Sequence, residues 1–354
     1  MEESKSSGKR VSHTALSETS SKRACVSRSE TDLIRSHFIT TDDFEWKLTC
    51  VDPITFRNMI RIMCGILLQC KFYIERSDEF SGVVIGSLNP TKVCMLHTTF
   101  ECTVDVSAGT PVDRLSFCLD LEMFYNILGE LSAKHILEIV QRKNSDSITV
   151  LMYQEDNPMD RSKTELQNLM CDEERYSMKE AKSLIGIDLP VSALKNICKQ
   201  GVNKKFNSRY IQFHVQVLRS EFEQNASTEG SDALVYTKLF LAIRIVGERM
   251  DYSRMFTSLV NQEGNNSEQI SVRVYPNTTS APEEDLVDLY KESYPTKYLN
   301  AFLRHMEREE IHIALTLGGE PIILKYSFGT DKSTMYAFLA PAAGGEDDLP
   351  DDDE

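Results

Sequence analysis

Apolar residues recur at three-and-four spacing in four places along this chain and alternate with polar residues in most of the segments between them. Asp52-Pro53 supplies a cap and a first-turn proline, and the helix that follows is expected to bury Phe56, Met59, Ile60, Met63 and Leu67. A second helix over Leu121–Leu131 would bury Leu121, Phe124, Tyr125 and Leu128. A third opens at Pro190 and hides Val191, Leu194, Ile197 and Cys198; a fourth hides Tyr298, Leu299, Phe302, Leu303 and Met306. Strand patterns fall at Phe44–Val51, Phe72–Glu75, Gly82–Leu88, Lys92–Val106, Ile136–Gln141, Ile148–Tyr153 and Lys163–Leu169 in the first half. In the second half they fall at Leu184–Leu189, Tyr210–Leu218, Leu234–Val246, Gln269–Tyr275, Ile311–Leu317, Pro321–Tyr326 and Met335–Leu339. Polar insertions at 223–232 and 261–268 read as loops, and Gly318-Gly319 as a tight turn.

Each half therefore runs strand, helix, several strands, helix, several strands. That repeat of architecture predicts an α+β fold with two similar domains, 44–169 and 182–341, joined by a connector at 170–181. Residues 1–43 are rich in Ser, Thr, Lys, Arg and Glu without apolar periodicity and read as a disordered tail. Lys9-Arg10 and Lys22-Arg23 have the form of a two-part nuclear import signal, although basic pairs are also ordinary in solvated tails.

Composition narrows the function. The 354 residues carry a net charge of −15, which argues against a protein that coats nucleic acid with its whole surface. About half of that excess is the tail within 342–354, where residues 346–354 hold seven acids and no base. Nine cysteines form no CxxC pair and no zinc-spaced cluster; Cys64, Cys118 and Cys198 lie in apolar patterns as small core residues. With no signal peptide and no apolar run longer than Ile62–Leu68, a reducing compartment and no membrane are expected. Catalytic constellations are not legible. Ser192-Ala-Leu-Lys195 fits SxxK without the motifs that accompany it in hydrolases, and neither His305 nor His312 has an evident acid or metal partner. No metal and no cofactor is implied.

The chemistry lies on the helices. Arg57 and Arg61, Lys195 and Lys199 (with Lys204-Lys205 after them), and Lys297, Arg304 and Arg308 give three of the four helices a basic stripe opposite the buried one. For one helix a solvated charged face is the ordinary reading. Recurrence in three helices of an acidic chain points instead to sequence-independent contact with phosphates. The second helix is the exception, with Glu122, Asn126 and Glu130 on its outer face.

The segment Tyr298-Leu-Asn with its basic helix, an alternating strand, Pro321 with an apolar strand, then Leu339-Ala340-Pro341 and an acidic tail, resembles the C-terminal end of the proliferating cell nuclear antigen (PCNA) family. Ser87-Leu-Asn-Pro-Thr-Lys-Val93 is similar to that family's Ser-Met-Asp-x-x-x-Val stretch, and Leu189-Pro190 with Ile197-Cys198-Lys199 to its second-domain opening helix. The resemblance spans most of 44–341. It implies two clamp domains with helices on one face of antiparallel sheets, assembled head to tail as a ring-forming homotrimer around duplex DNA. It implies a processivity factor in the nucleus, or in the replication compartment of a large DNA virus, placed on DNA by an ATP-driven clamp loader. It also implies docking of polymerase and other PCNA-interacting-peptide proteins on Leu88, Val93, Pro321, Phe338, Ala340 and Pro341, with Leu169 or Met170 from the connector. Two departures stand out: Phe338 replaces a tyrosine, and Glu122 and Glu130 stand where the family often has lysines. A subunit of a heterotrimeric checkpoint clamp is the alternative, and an α+β enzyme a more distant one.

Overall fold

Each strand of this chain finds its partners by alternation, and the alternation assigns two faces to every sheet. The computed structural model describes residues 44–342 apart from 51, 112–114, 155, 158–160, 172–174, 177–182, 203–207, 221–222, 224–237, 247–250, 261–269, 276–285, 307–309, 317–318 and 329–331. The tail at 1–43, the acidic residues of 342–354, the loop expected at 261–268 and all but Glu223 of that expected at 223–232 lie outside the described residues.

The first half runs β1 (Phe44–Cys50), α1 (Pro53–Cys64), β2 (Gln69–Arg76), β3 (Ser81–Leu88), β4 (Cys94–Glu101), β5 (Thr103–Val106), β6 (Ser116–Asp120), α2 (Leu121–Ile127), β7 (Ile136–Arg142), β8 (Ser147–Tyr153) and β9 (Arg161–Gln167). The second runs β10 (Ser183–Pro190), α3 (Val191–Val202), β11 (Tyr210–Leu218), β12 (Lys238–Val246), β13 (Asp251–Val260), β14 (Ile270–Tyr275), β15 (Leu286–Pro295), α4 (Thr296–Arg304), β16 (Glu310–Thr316), β17 (Ile322–Ser327) and β18 (Thr334–Leu339). The element order is the same in both halves. Three strands lie where the pattern gave none, β6, β13 and β15, and the single strand expected over Lys92–Val106 is broken at Cys102 into β4 and β5. The second helix is shorter than expected, ending in a 3₁₀ turn at Leu128–Glu130, and Tyr125 and Tyr298 are only half-buried.

Five strands form one sheet in the order β5-β1-β7-β8-β9, and thirteen form another, β15-β11-β12-β13-β14-β10-β16-β17-β18-β4-β3-β2-β6. The two halves meet inside the larger sheet, where β18 pairs antiparallel with β4 from Thr334 opposite Thr99 to Leu339 opposite Cys94. Pairing is antiparallel throughout except β10 with β14.

The aromatic core of the first half locks the two sheets to the helices. Phe72 stacks on Phe117 at 4.7 Å between centroids, Trp46 stacks on Phe117 at 5.1 Å, and Phe56 of α1 meets Phe100 edge-on at 5.1 Å. In the second half α3 buries Leu194, Ile197 and Cys198 and α4 buries Leu299, Phe302 and Leu303 in the same continuous core. Asp52 caps α1 as expected, its Oδ1 accepting from Thr55 N–H at 3.0 Å, and Asp120 does the same for α2 through Met123 at 2.8 Å. The helices touch in a chain: α2 on α1, α1 on α4, and α4 on α3. At the crossing between halves, a side chain on Gly65 would begin 3.2 Å from the Ala301 methyl, so a small residue sets how closely the end of α1 approaches α4.

The core makes a direct expectation. Phe72→Ala removes a fully buried ring that stacks on Phe117 and meets Phe124 edge-on, and is expected to cost about 3–5 kcal/mol in urea unfolding followed by tryptophan fluorescence.

Candidate nucleic-acid interface and partner-docking surface

Cations from three helices converge where α1, α3 and α4 come together. Arg57 and Arg61 rise from α1 beside the ring of Tyr125 on α2, with guanidinium carbons 5.6 and 6.0 Å from its centroid. Arg57 is half-buried there and Arg61 exposed, so the half-buried tyrosine supports the stripe. On α3, Lys199 is exposed, while Lys195 is half-buried and donates from Nζ to the carbonyl of Met306 just beyond α4. Lys297 and Arg304 are both exposed on α4, with the Lys297 ammonium 5.7 Å from the Tyr298 ring. Lys204, Lys205 and Arg308 lie outside the described residues.

His305, the residue that ends α4, reports the field these groups create. Burial, and after it the charges of Arg61, Arg304 and Lys195, push its imidazole from 6.5 down to about 4. Residues from the first, third and fourth helices therefore act on one point. The second helix adds no positive charge: Glu122 and Glu130 are exposed on it, as the sequence predicted.

The opposite face of the large sheet carries the second candidate surface. Val83 and Ile85 of β3 join the main core, so Leu88 points the other way, with Gly86. The register then sets Leu88 opposite Met95, Met95 opposite Phe338, and Phe338 opposite Ile323. Pro321 and Ala340 flank this row two residues from Ile323 and Phe338, and the Ala340 amide donates to the carbonyl of Val93 at 2.9 Å. Val93 is half-buried against the core, and Pro341, also half-buried, precedes Ala342, whose amide donates to Ser293. Leu88, Phe338, Pro321 and Ala340 are thus brought together.

Leu169 and Met170 are not. The Leu169 amide donates to Cys118 on β6, three strands from β4 in the sheet, and Met170 is fully exposed beside it. Among the described connector residues it is Tyr176 that bonds beside the apolar row, its amide donating to Gly86 at 3.3 Å. Gly86 is required there, because a Cβ would lie 2.2 Å from the Tyr176 carbonyl oxygen. Met95 and Ile323 were legible as period-two neighbours of Val93 and Pro321; Tyr176 had no signal beyond its place in the connector.

Three expectations need correction. His312 has an acid partner, its Nδ1 lying 2.8 Å from Asp188 Oδ1 across β16 and β10. Cys118 is buried but is bonded to Cys171, and Cys64 is only half-buried, its thiol donating to the Leu121 carbonyl at 3.2 Å. Cys198 is buried as expected, and desolvation pushes its thiol up to about 12. Among the described residues no group of three or more His, Cys, Asp or Glu is placed to hold a metal ion, and no helix is long and apolar enough to cross a membrane.

Solved structures share this architecture. PCNA from Thermococcus kodakaraensis superposes with a TM-score of 0.58 at 14% identity, covering 84% of this chain and 100% of that one. PCNA from Entamoeba histolytica gives 0.59 at 14% identity, covering 84% and 99%. The chain has the PCNA clamp fold. At that identity the likeness is one of fold, and neither a family model nor a curated protein sequence matches the chain. The clamp fold accounts for the repeated element order and for the four helices lying together.

The lowered His305 value, set by burial and then by the nearby cations, creates a pH dependence. Because the folded-state value lies below the ordinary 6.5, the unfolded chain binds the proton first as pH falls. This group's contribution to stability is full above pH 6.5 and is lost as pH drops from there toward 4. The imidazole is expected to titrate near 4 by NMR, and His305→Gln to remove its share of the acid destabilisation.

Proposed function

We propose that this chain is a DNA sliding clamp, a processivity factor that encircles duplex DNA and tethers replication and repair proteins to it. The observation that carries the reading is the exposure of Arg61, Lys199, Lys297 and Arg304 on three helices of a clamp fold, on an otherwise acidic protein. Such a wall contacts phosphates without reading sequence, and its contacts weaken with salt, as sliding requires. The reading includes clamp domains at 44–169 and 182–341 with a connector at 170–181. The protein performs no chemistry; tethering raises the local concentration of a polymerase at its primer.

Ring closure follows from the repeat. By element order β9 corresponds to β18 and β13 to β4, and β18 pairs with β4 within the chain. Among the described residues β9 has β8 alone beside it, and β13 is paired on its outer side only over Thr257–Val260. A second copy that sets its β9 against β13 repeats the internal junction between molecules, and three copies of the two-domain unit close a homotrimer. Opening and loading such a ring falls to an ATP-driven loader. The apolar row Leu88–Met95–Phe338–Ile323 is the docking site for partner peptides presenting a helical turn with aliphatic and aromatic anchors. The working place is the nucleus or a viral replication compartment. A second reading, one subunit of a heterotrimeric checkpoint clamp, is favoured by the exposed Glu122 and Glu130, since a partner subunit would then supply the missing positive wall.

Topological retention tests the proposal without a loader. Protein threaded onto linear duplex is expected to persist in high salt when both DNA ends are then blocked, and to leave when they are free. Retention that ignores the ends would contradict encirclement. Lys297→Glu with Arg304→Glu is expected to weaken salt-sensitive DNA association about tenfold or more and to lower the salt slope by roughly two.

A further inference from the structure

Two residues along the strands from the apolar row runs a second row of different chemistry. The register sets His97 opposite Tyr336, Tyr336 opposite Lys325, Lys325 opposite His312, and His312 opposite Asp188, across β4, β18, β17, β16 and β10. Leu96, Ala337, Leu324 and Ile313 alternate with these residues and turn into the core, so the second row shares the outer face with Met95, Phe338 and Ile323. Two strand residues rise about 7 Å, less than the width of a helix, so a helical turn seated on the apolar row overhangs the second.

Charge on this second row is unbalanced. Asp188 is engaged by His312, whose Nδ1 lies 2.8 Å from its Oδ1. Lys325, half-buried, has no ion pair among the described residues. Its ammonium lies 5.8 Å from the centroid of the Tyr336 ring, a contact that restrains the long side chain without neutralising it. His97 brings its ring to 6.4 Å from the same tyrosine on the next strand. Farther along the strands the face holds hydroxyls and a satisfied pair: Thr99 meets Thr334 at 3.1 Å, and Glu101 pairs with Lys332 at 3.5 Å. Lys325 is thus an uncompensated cation two residues from Ile323.

We propose that the second row is a specificity subsite that selects partner segments carrying a carboxylate on the flank of the docking turn, with Lys325 pairing to that carboxylate and Tyr336 holding the ammonium in place. The inference rests on the docking role assigned above to the apolar row. There the anchors supply affinity; the carboxylate supplies choice and orientation, because one flank of the turn overhangs Lys325 and the other does not. A partner with a basic flank meets Lys325 as a like charge and is disfavoured. The pair is partly open to solvent, so its effect is modest and weakens with salt.

The test uses the full-length protein and synthetic peptides of one helical turn with a leucine and two aromatic anchors, read by fluorescence anisotropy. A single glutamate is moved through the non-anchor positions, and each peptide is matched by its glutamine counterpart. At the position that overhangs Lys325 the glutamate peptide is expected to bind about twofold to fivefold more tightly than its match, and the gap to narrow as salt rises. The gap is expected to close in Lys325→Gln and to reverse in Lys325→Glu, with thermal unfolding confirming that both variants fold. Equal binding of every glutamate and glutamine pair by the unsubstituted protein overturns the subsite whether or not the variants fold. A gap that persists in Lys325→Gln overturns the role of Lys325. Failure of every peptide to bind, glutamine forms included, overturns the docking surface itself and the subsite with it.

Discussion

The antiparallel pairing of β18 with β4 is the interaction on which the rest depends. Six residue pairs, from Thr334–Thr99 to Leu339–Cys94, turn two halves into one thirteen-stranded sheet. With that seam in place, the helices of both halves share one side and α1 meets α4 through Gly65. On the other side the seam sets Met95 beside Phe338, so the apolar row contains residues from both halves and exists only because the two are joined. An exposed strand edge is usually a liability; here one pair of edges is consumed inside the chain, while its counterparts in the repeat, β9 and β13, are less fully paired among the described residues.

Charge in this protein is segregated by face. A net −15 would repel DNA as a whole, yet the charged side chains exposed on α1, α3 and α4 among the described residues are basic, and burial, with their charge after it, holds His305 neutral well below its ordinary range. The amphipathic helix is the device that makes this possible, since one stripe can be devoted to the core and the other to the solvent-filled side. Tyr125 and Tyr298 refine it by giving the cations an aromatic surface beside them, which restrains long side chains without neutralising them.

Much of the fold was legible because helix faces and alternating strands leave strong periodic marks. What was missed has physical reasons. Asp251–Val260 mixes Asp, Ser, Arg and Thr into a strand whose partners, not its own apolarity, fix it, and Leu286–Pro295 passes a bulge opposite Val215 and Gln216 that breaks its alternation. Ser116–Asp120 is too short to carry a pattern. Contacts set by register across distant strands were beyond reach: Asp188 with His312 and Cys118 with Cys171 are neighbours only after the sheet has formed. Of the candidate site, the basic stripes and the strand-borne part of the apolar row followed from periodicity and resemblance. The connector did not, because its course over Gly86 is decided by a missing Cβ and a few polar ties.

The proposed ring requires that this clamp fold close on itself. Multi-angle light scattering of the full-length chain over a range of concentrations tests it most directly. A self-closing ring predicts three times the 40.3 kDa chain, about 121 kDa, holding steady on dilution. A mass that stays at that of one chain at every concentration would contradict the homotrimeric clamp.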